Sequence, residues 1–228
     1  MNEPEILYED NHLIAVNKPA GMLSQGDRTS DTTIADNVKA YLKKKYNKPG
    51  DVFLGIIHRL DRPVSGLILF ARTSKALSRC TQLFRDREVG KTYLALVANQ
   101  PDKTVDELVH YLVKNKKNNI TKAFTGQLPN SKKSILQYEH IGSYKNIQLL
   151  MVRPLTGRPH QIRVQLSYIE CPVINDIKYG YPKSDNKHSI YLHSASLEFD
   201  HPVKKEKLKI TCPLPNDGLW NKVRSLYA

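Results

Sequence analysis

Short apolar runs separated by polar breaks dominate the first hundred residues, a spacing that suits strands. The stretch "ILYEDNHLIAVNKPAG" gives two strands broken at residues 9–11 and closed by Lys18-Pro19-Ala20-Gly21. Gly55-Ile56-Ile57 and Leu67-Ile68-Leu69-Phe70-Ala71 are two further buried strands joined by a tight polar connection. Helical period appears in "TTIADNVKAYLKKKY", where Ile34, Val38, Leu42 and Tyr46 recur at every fourth position. Thr33 is its N-cap and Pro49-Gly50 its stop. A second amphipathic helix covers residues 74–88, with Leu77, Cys80 and Phe84 on one stripe, which makes Cys80 a core residue.

Later in the chain the period is two. "GKTYLALV" alternates, so Tyr93, Ala95 and Val97 share one face. "VDELVHYLV", "SILQYEHI", "NIQLLMVRP", "SIYLHSASLEF" and "KLKIT" are further strands. A third helix is expected over residues 157–169, with Pro159 tolerated in its first turn, and a short one in "DGLWNKVRSL". Strands outnumber helices and no regular βαβ alternation occurs. The pattern predicts an α+β fold built on a mixed, largely antiparallel sheet. No internal repeat or linker divides the chain, so residues 1–228 are expected to form a single domain.

Charge changes the picture most. Lys and Arg total 35 against 22 Asp and Glu, a net +13 that suits a polyanionic partner. The excess is uneven. From Val113 to Tyr138 there is no acidic residue, while Lys114, Lys116, Lys117, Lys122, Lys132 and Lys133 crowd the stretch. With its Asn residues and Pro129 it reads as a basic, partly flexible excursion able to hold phosphates without reading sequence. The apolar runs are too short for a transmembrane helix, and the start "MNEPEILYED" does not resemble a secretory leader. Cys80, Cys171 and Cys212 are widely spaced and lack metal-type pairing. A reduced, cytoplasmic protein is expected, with no membrane association and no obligate protein partner, hence a monomer.

Three segments hold polar residues that packing explains poorly. In "HRLDRPVSG", Asp61 is flanked by Arg59 and Arg62: a structural ion pair, or a nucleophile or base kept ionised by its neighbours. In "RPLTGRPHQIRVQL", His160 and Arg163 lie three apart on the expected helix. Arg163 falls at the edge of its apolar face and calls for a carboxylate, for which Asp61 is the obvious candidate. His160 fits a cap or buried structural role as well as catalysis, and Arg158 at the helix start could face a phosphate. Tyr93 reads as a core residue unless it shares a face with Asp61, when its ring could stack on a planar substrate group. No glycine-rich phosphate loop, dinucleotide fingerprint, nucleophile elbow or histidine spacing for a metal is present. One Asp, a paired Arg, a Tyr and a basic surface fit chemistry on a nucleobase without cofactor or metal.

"HRLDRPVSGLILFARTSKA" resembles the catalytic motif of the RluA-type family of RNA pseudouridine synthases. "ILYEDNHLIAVNKPAGM", "KTYLALV", "LTGRPHQIRVQL", "PVINDIKYG" and "YLHSASLEFDHP" resemble the family's other motifs, in its order, from Ile6 to Pro215. The resemblance implies a pseudouridine synthase catalytic domain acting on transfer or ribosomal RNA with the target base flipped out of its stack. It implies Asp61 as the catalytic residue, Tyr93 as the ring packing on the uracil, and Arg163 as the partner of the aspartate. Arg59 would enter the space the extracted nucleotide leaves. Arg62, Arg158, His160, Lys114, Lys116 and Lys117 are candidate RNA contacts. Many members carry an N-terminal S4-like domain; here the first strand begins by about residue 5, so recognition is expected from the catalytic domain itself. "RPVSG" and the "IND" near residue 175 depart from the commoner family pattern without touching the catalytic residues. Two other readings are a catalytically silent RNA-binding protein on this scaffold and a small hydrolase using Asp61 and His160.

Overall fold

Thr33 begins the first helix by a reciprocal cap: its hydroxyl accepts the Asp36 N–H, and the Asp36 carboxylate accepts the Thr33 N–H at 3.0 Å. The helix buries Ile34, Val38 and Leu42 as its period requires, while Tyr46 closes the far end and remains exposed. The computed structural model describes residues 3–26, 30–115, 117–182 and 189–227. The chain opens with β1 (Glu5–Glu9), β2 (Leu13–Lys18), α1 (Ile34–Lys45), β3 (Gly55–Ile56), β4 (Ser65–Ala71) and α2 (Ser74–Asp86). It continues through β5 (Gly90–Val97), β6 (Val105–Asn115), β7 (Ile120–Phe124), β8 (Lys132–Tyr144), β9 (Ile147–Pro154) and α3 (Gln161–Tyr168). A 3₁₀ turn (Ile177–Tyr179), β10 (Leu192–Asp200), β11 (Lys207–Thr211) and α4 (Gly218–Val223) complete it, before a last 3₁₀ turn at Arg224–Leu226. The fold is α+β, with strand outweighing helix.

Two compact units share these elements. The first comprises Met1–Gly90 and Ser194–Pro213, the second Lys91–His193 and Leu214–Ala228. In the first unit the strand order is β1-β2-β4-β10-β11. Every residue of β4 is buried, as a central strand covered on both faces must be. Leu13, Ala15, Leu67, Leu69, Leu197, Phe199 and Ile210 from its strands pack with Ala76 and Cys80 of α2. Burial pushes the Cys80 thiol up to about 11, so it stays protonated. Gly66, second in β4, has φ 109°, and a Cβ there would lie 2.4 Å from the Ser194 carbonyl oxygen. Only glycine fits there.

In the second unit the order is β5-β9-β8-β6-β7, each neighbour antiparallel. The basic stretch differs from its expectation as a partly flexible excursion. Residues 105–115 and 120–124 form a hairpin, with Lys114 opposite Thr121 and Val113 opposite Lys122. It holds because β7 is packed against its surroundings: Thr121 is buried, and Ile120 and Ala123 pack with Leu112, Val164 and Tyr179.

Two helix ends also shift. α2 stops at Asp86 because Arg87 turns left-handed, φ 65°. α3 begins at Gln161 rather than 157, because His160 adopts φ 56° as its N-cap residue. His160 therefore lies outside the helix, and the side-by-side helical geometry expected for it and Arg163 does not form.

Candidate active site

Asp61 occupies the first position of a tight turn: its carbonyl accepts the Val64 N–H at 3.0 Å. Three contacts fasten this turn to the loop after β2. The Ser24 hydroxyl donates to the Leu60 carbonyl at 2.7 Å and accepts the Leu60 N–H at 3.0 Å. The Gly21 N–H donates to the Arg62 carbonyl at 2.8 Å. The Lys18 ammonium, wholly buried, donates to the carbonyls of Pro19, Met22 and Arg62 at 3.0, 2.8 and 3.2 Å. A turn that would be loose in isolation is thereby held on both sides of its carboxylate.

Lys18 is the residue here that sequence patterning missed, since "NKPAG" reads only as a strand end and turn. Burial pulls its ammonium down to about 7, with the positive Arg62 adding to the fall and the Asp61 carboxylate opposing it. The opposing effect means that Lys18 lies within electrostatic reach of Asp61. Of the two flanking arginines, Arg59 is exposed. Arg62 turns back on its own unit, donating to the Gly21 carbonyl at 2.9 Å and meeting Asp31 at 2.9 Å. His58 anchors the strand behind the turn: its Nε2 accepts the Leu69 N–H at 3.0 Å and its ring stacks on Phe84.

The remaining sequence candidates lie in the second unit. Tyr93 stands half-buried on β5, opposite Val152 of β9. Arg163 forms a bidentate bridge inside its own unit. Its Nε and Nη2 donate to the Asp176 carboxylate at 2.6 and 2.8 Å, with both side chains buried. Asp176 belongs to the "IND" segment noted as a departure, and nothing in its spacing from Arg163 announces the pairing. The Tyr179 ring lies over the same guanidinium, 4.9 Å from ring centre to Cζ.

His160 Nδ1 is 2.5 Å from the Tyr179 hydroxyl, and that hydroxyl also accepts the Thr121 N–H at 3.0 Å. Gln161 braces the loop before α3, accepting from the Thr156 hydroxyl and the Arg158 N–H and donating to the Ile135 carbonyl. The Arg158 side chain reaches the Lys133 carbonyl at 3.5 Å. Lys114, Lys117, Lys122, Lys132 and Lys133 are all exposed on or beside the hairpin and the start of β8. Lys116 lies outside the described residues.

Among the described residues, no group of three His, Cys, Asp or Glu side chains is arranged to hold a metal ion. Among the same residues, no helix is long and apolar enough to cross a membrane.

A family model described as RNA pseudouridylate synthase matches residues 12–168. The ribosomal large subunit pseudouridine synthase C of Buchnera aphidicola is 33% identical over 219 residues, covering 92% of this chain and 66% of the relative. The ribosomal large subunit pseudouridine synthase D of Borreliella burgdorferi is 32% identical, covering 86% of this chain and 60% of the relative. The chain thus spans about two thirds or less of the length of these two relatives. Among solved structures, human RNA pseudouridylate synthase domain containing 4 shares the fold at a TM-score of 0.81 and 23% identity, over 98% of this chain and 93% of that one.

Proposed function

The chain belongs to the RNA pseudouridylate synthase family, and we propose that it isomerises uridine to pseudouridine in a structured RNA with Asp61 as the reactive carboxylate. One observation carries the reading. The Asp61 turn is clamped from both sides to the loop after β2, with the buried Lys18 ammonium within electrostatic reach. A carboxylate that only balanced surface charge would not need such a frame, whereas one that meets a reacting nucleoside does. The relatives' names support ribosomal RNA over transfer RNA as the substrate.

The reaction leaves the composition of the base and sugar unchanged. The bond between N1 and ribose C1′ breaks, the uracil turns, and C5 joins C1′. C5 loses its proton to water and N1 takes one up, so the product is an isomer and no cofactor or metal is consumed. Extracting the base from its stack costs a few kcal/mol. Stacking on the Tyr93 ring would return about 1–3 kcal/mol.

Motif resemblance assigns Tyr93 to the target uracil, Arg163 to the support of the aspartate, and Arg59 to the space left in the RNA. Arg62, Arg158, His160 and the lysines 114, 116 and 117 would hold the backbone, their charge supporting a phosphate grip that weakens with salt. We read the two units as one catalytic domain because the chain passes between them three times. A monomer working in the cytoplasm, where its RNA is made, completes the reading.

The test is tritium release from ribosomal RNA carrying [5-³H]uridine, prepared from cells that lack this protein. Wild type is expected to release the label and Asp61→Asn to lower release by at least about 10³-fold, the loss expected of an essential reacting group. Tight binding without release by either protein would instead make it a silent RNA-binding protein.

A further inference from the structure

Arg163 is buried, and its guanidinium is gripped in two directions by residues one turn apart. The Asp176 carboxylate meets it edge-on, through Nε and Nη2. The Tyr179 ring covers its face. The intervening 3₁₀ turn explains how one short segment does both, because positions i and i+3 of such a turn lie one above the other. The Asp176 carbonyl accepts the Tyr179 N–H at 3.0 Å and that of Tyr181 at 3.1 Å, which fixes the turn itself. Asn175 at φ 69° and Gly180 at φ 98° bend the chain sharply on either side.

The phenol has a second set of contacts. Its oxygen accepts the Thr121 N–H at 3.0 Å and lies 2.5 Å from the His160 Nδ1. Thr121 is buried in the hairpin strand β7, directly opposite Lys114, and its own hydroxyl donates to the Pro159 carbonyl at 3.2 Å. The ring therefore touches the arginine while the hydroxyl touches the lysine-bearing hairpin.

We propose that Tyr179 is a positioning residue with two separable parts, a ring that orients Arg163 for the reaction and a hydroxyl that ties this orientation to the RNA-gripping hairpin. The inference rests on the pseudouridine synthase reading and extends it to a residue that does not itself meet the target nucleoside. Arg163 alone could rotate about its long side chain. With Asp176 in its plane and Tyr179 on its face, it has a single orientation. An arginine displaced by about 1 Å from its working position would cost on the order of 100-fold in rate.

The experiment compares wild type, Tyr179→Phe and Tyr179→Leu in single-turnover and steady-state tritium release, with RNA binding and thermal melting measured on the same samples. Tyr179→Phe keeps the ring and loses the tie, so kcat is expected to stay within about threefold of wild type while KM rises. Tyr179→Leu loses the ring as well, and kcat at saturating RNA, measured below its lowered melting transition, is expected to fall a further ~10- to 100-fold, with RNA binding close to that of Tyr179→Phe. A loss in kcat matched by Tyr179→Phe, or one that disappears below the melting transition of each variant, overturns the inference while leaving the reaction intact. Wild-type protein that releases no tritium overturns the reading on which the inference rests.

Discussion

Among the described residues, each unit buries one lysine or arginine, and the two house it in opposite ways. Lys18, at the end of β2, is fully enclosed, and its described hydrogen-bond partners are three backbone carbonyls. Arg163, in α3, is 5% exposed and faces the Asp176 carboxylate and the Tyr179 ring. The difference follows from what each head group can do. An ammonium in a cage of dipoles can surrender its proton when burial makes the charge costly, and burial pulls Lys18 down to about 7. A guanidinium keeps its charge at any pH a protein meets, so burying it requires an opposite charge of matching shape. One unit thus has a cation whose charge depends on conditions, and the other has a cation fixed in charge and orientation.

The sharpest way to break the contrast is Asp176→Asn, which keeps the shape of the partner and removes its charge. Removing one charge of a buried, hydrogen-bonded ion pair is expected to cost about 3–5 kcal/mol, read as a fall in the urea midpoint. Exchanging both partners, Arg163→Met with Asp176→Leu, should recover much of that stability while pseudouridine formation stays lost. A double variant as unstable as Asp176→Asn would mean that the bridge is not what the site depends on.

Lys18→Met comes next. It removes a costly charge but leaves three buried carbonyls without their donor, for an expected net loss of about 1–3 kcal/mol. A penalty larger than that of Asp176→Asn would reverse the comparison.

Smallest per step is a slope with pH. The folded-state value of about 7 lies below the ordinary lysine value near 10.4. Between those limits the unfolded chain binds the extra proton, so stability rises with pH, by at most about 1.4 kcal/mol per unit from this group. Below pH 7 both states hold the proton and the contribution is flat at its least favourable. Urea titrations at pH 7, 8, 9 and 10 should give wild type this rise relative to Lys18→Met. Parallel curves would show that Lys18 does not titrate there.

Features set by neighbouring residues were legible in the sequence, and features set by distant ones were not. Thr33, three residues before Asp36, marks a cap that depends only on local spacing, and it forms. The apolar run from Leu67 to Ala71 reads as a covered strand and is one. β7 was missed because "ITKAF" is short and carries a lysine, and its strand character comes from Leu112, Val164 and Tyr179 packed against it. The early start expected for α3 failed at His160, whose left-handed backbone no propensity indicates. The need of Arg163 for a carboxylate is legible in its place on the apolar face, but charge and spacing give no means of finding Asp176 as one partner. Lys18 was hidden by its own chemistry, since a lysine at a strand end is ordinarily exposed.

The threading of the chain between the two units sets an order of assembly. The unit that carries Asp61 takes its last two strands, β10 and β11, from beyond residue 193, and the other unit takes its final helix from beyond residue 213. During synthesis neither can close its core until most of the chain has left the ribosome, so folding is dominated by contacts distant in sequence and is correspondingly slow. A cut at residue 90 would not yield two independent halves, because the first would lack the strand beside β4. An amino-terminal fragment that stops short of β11 would expose the edge of that sheet and is expected to aggregate rather than bind RNA.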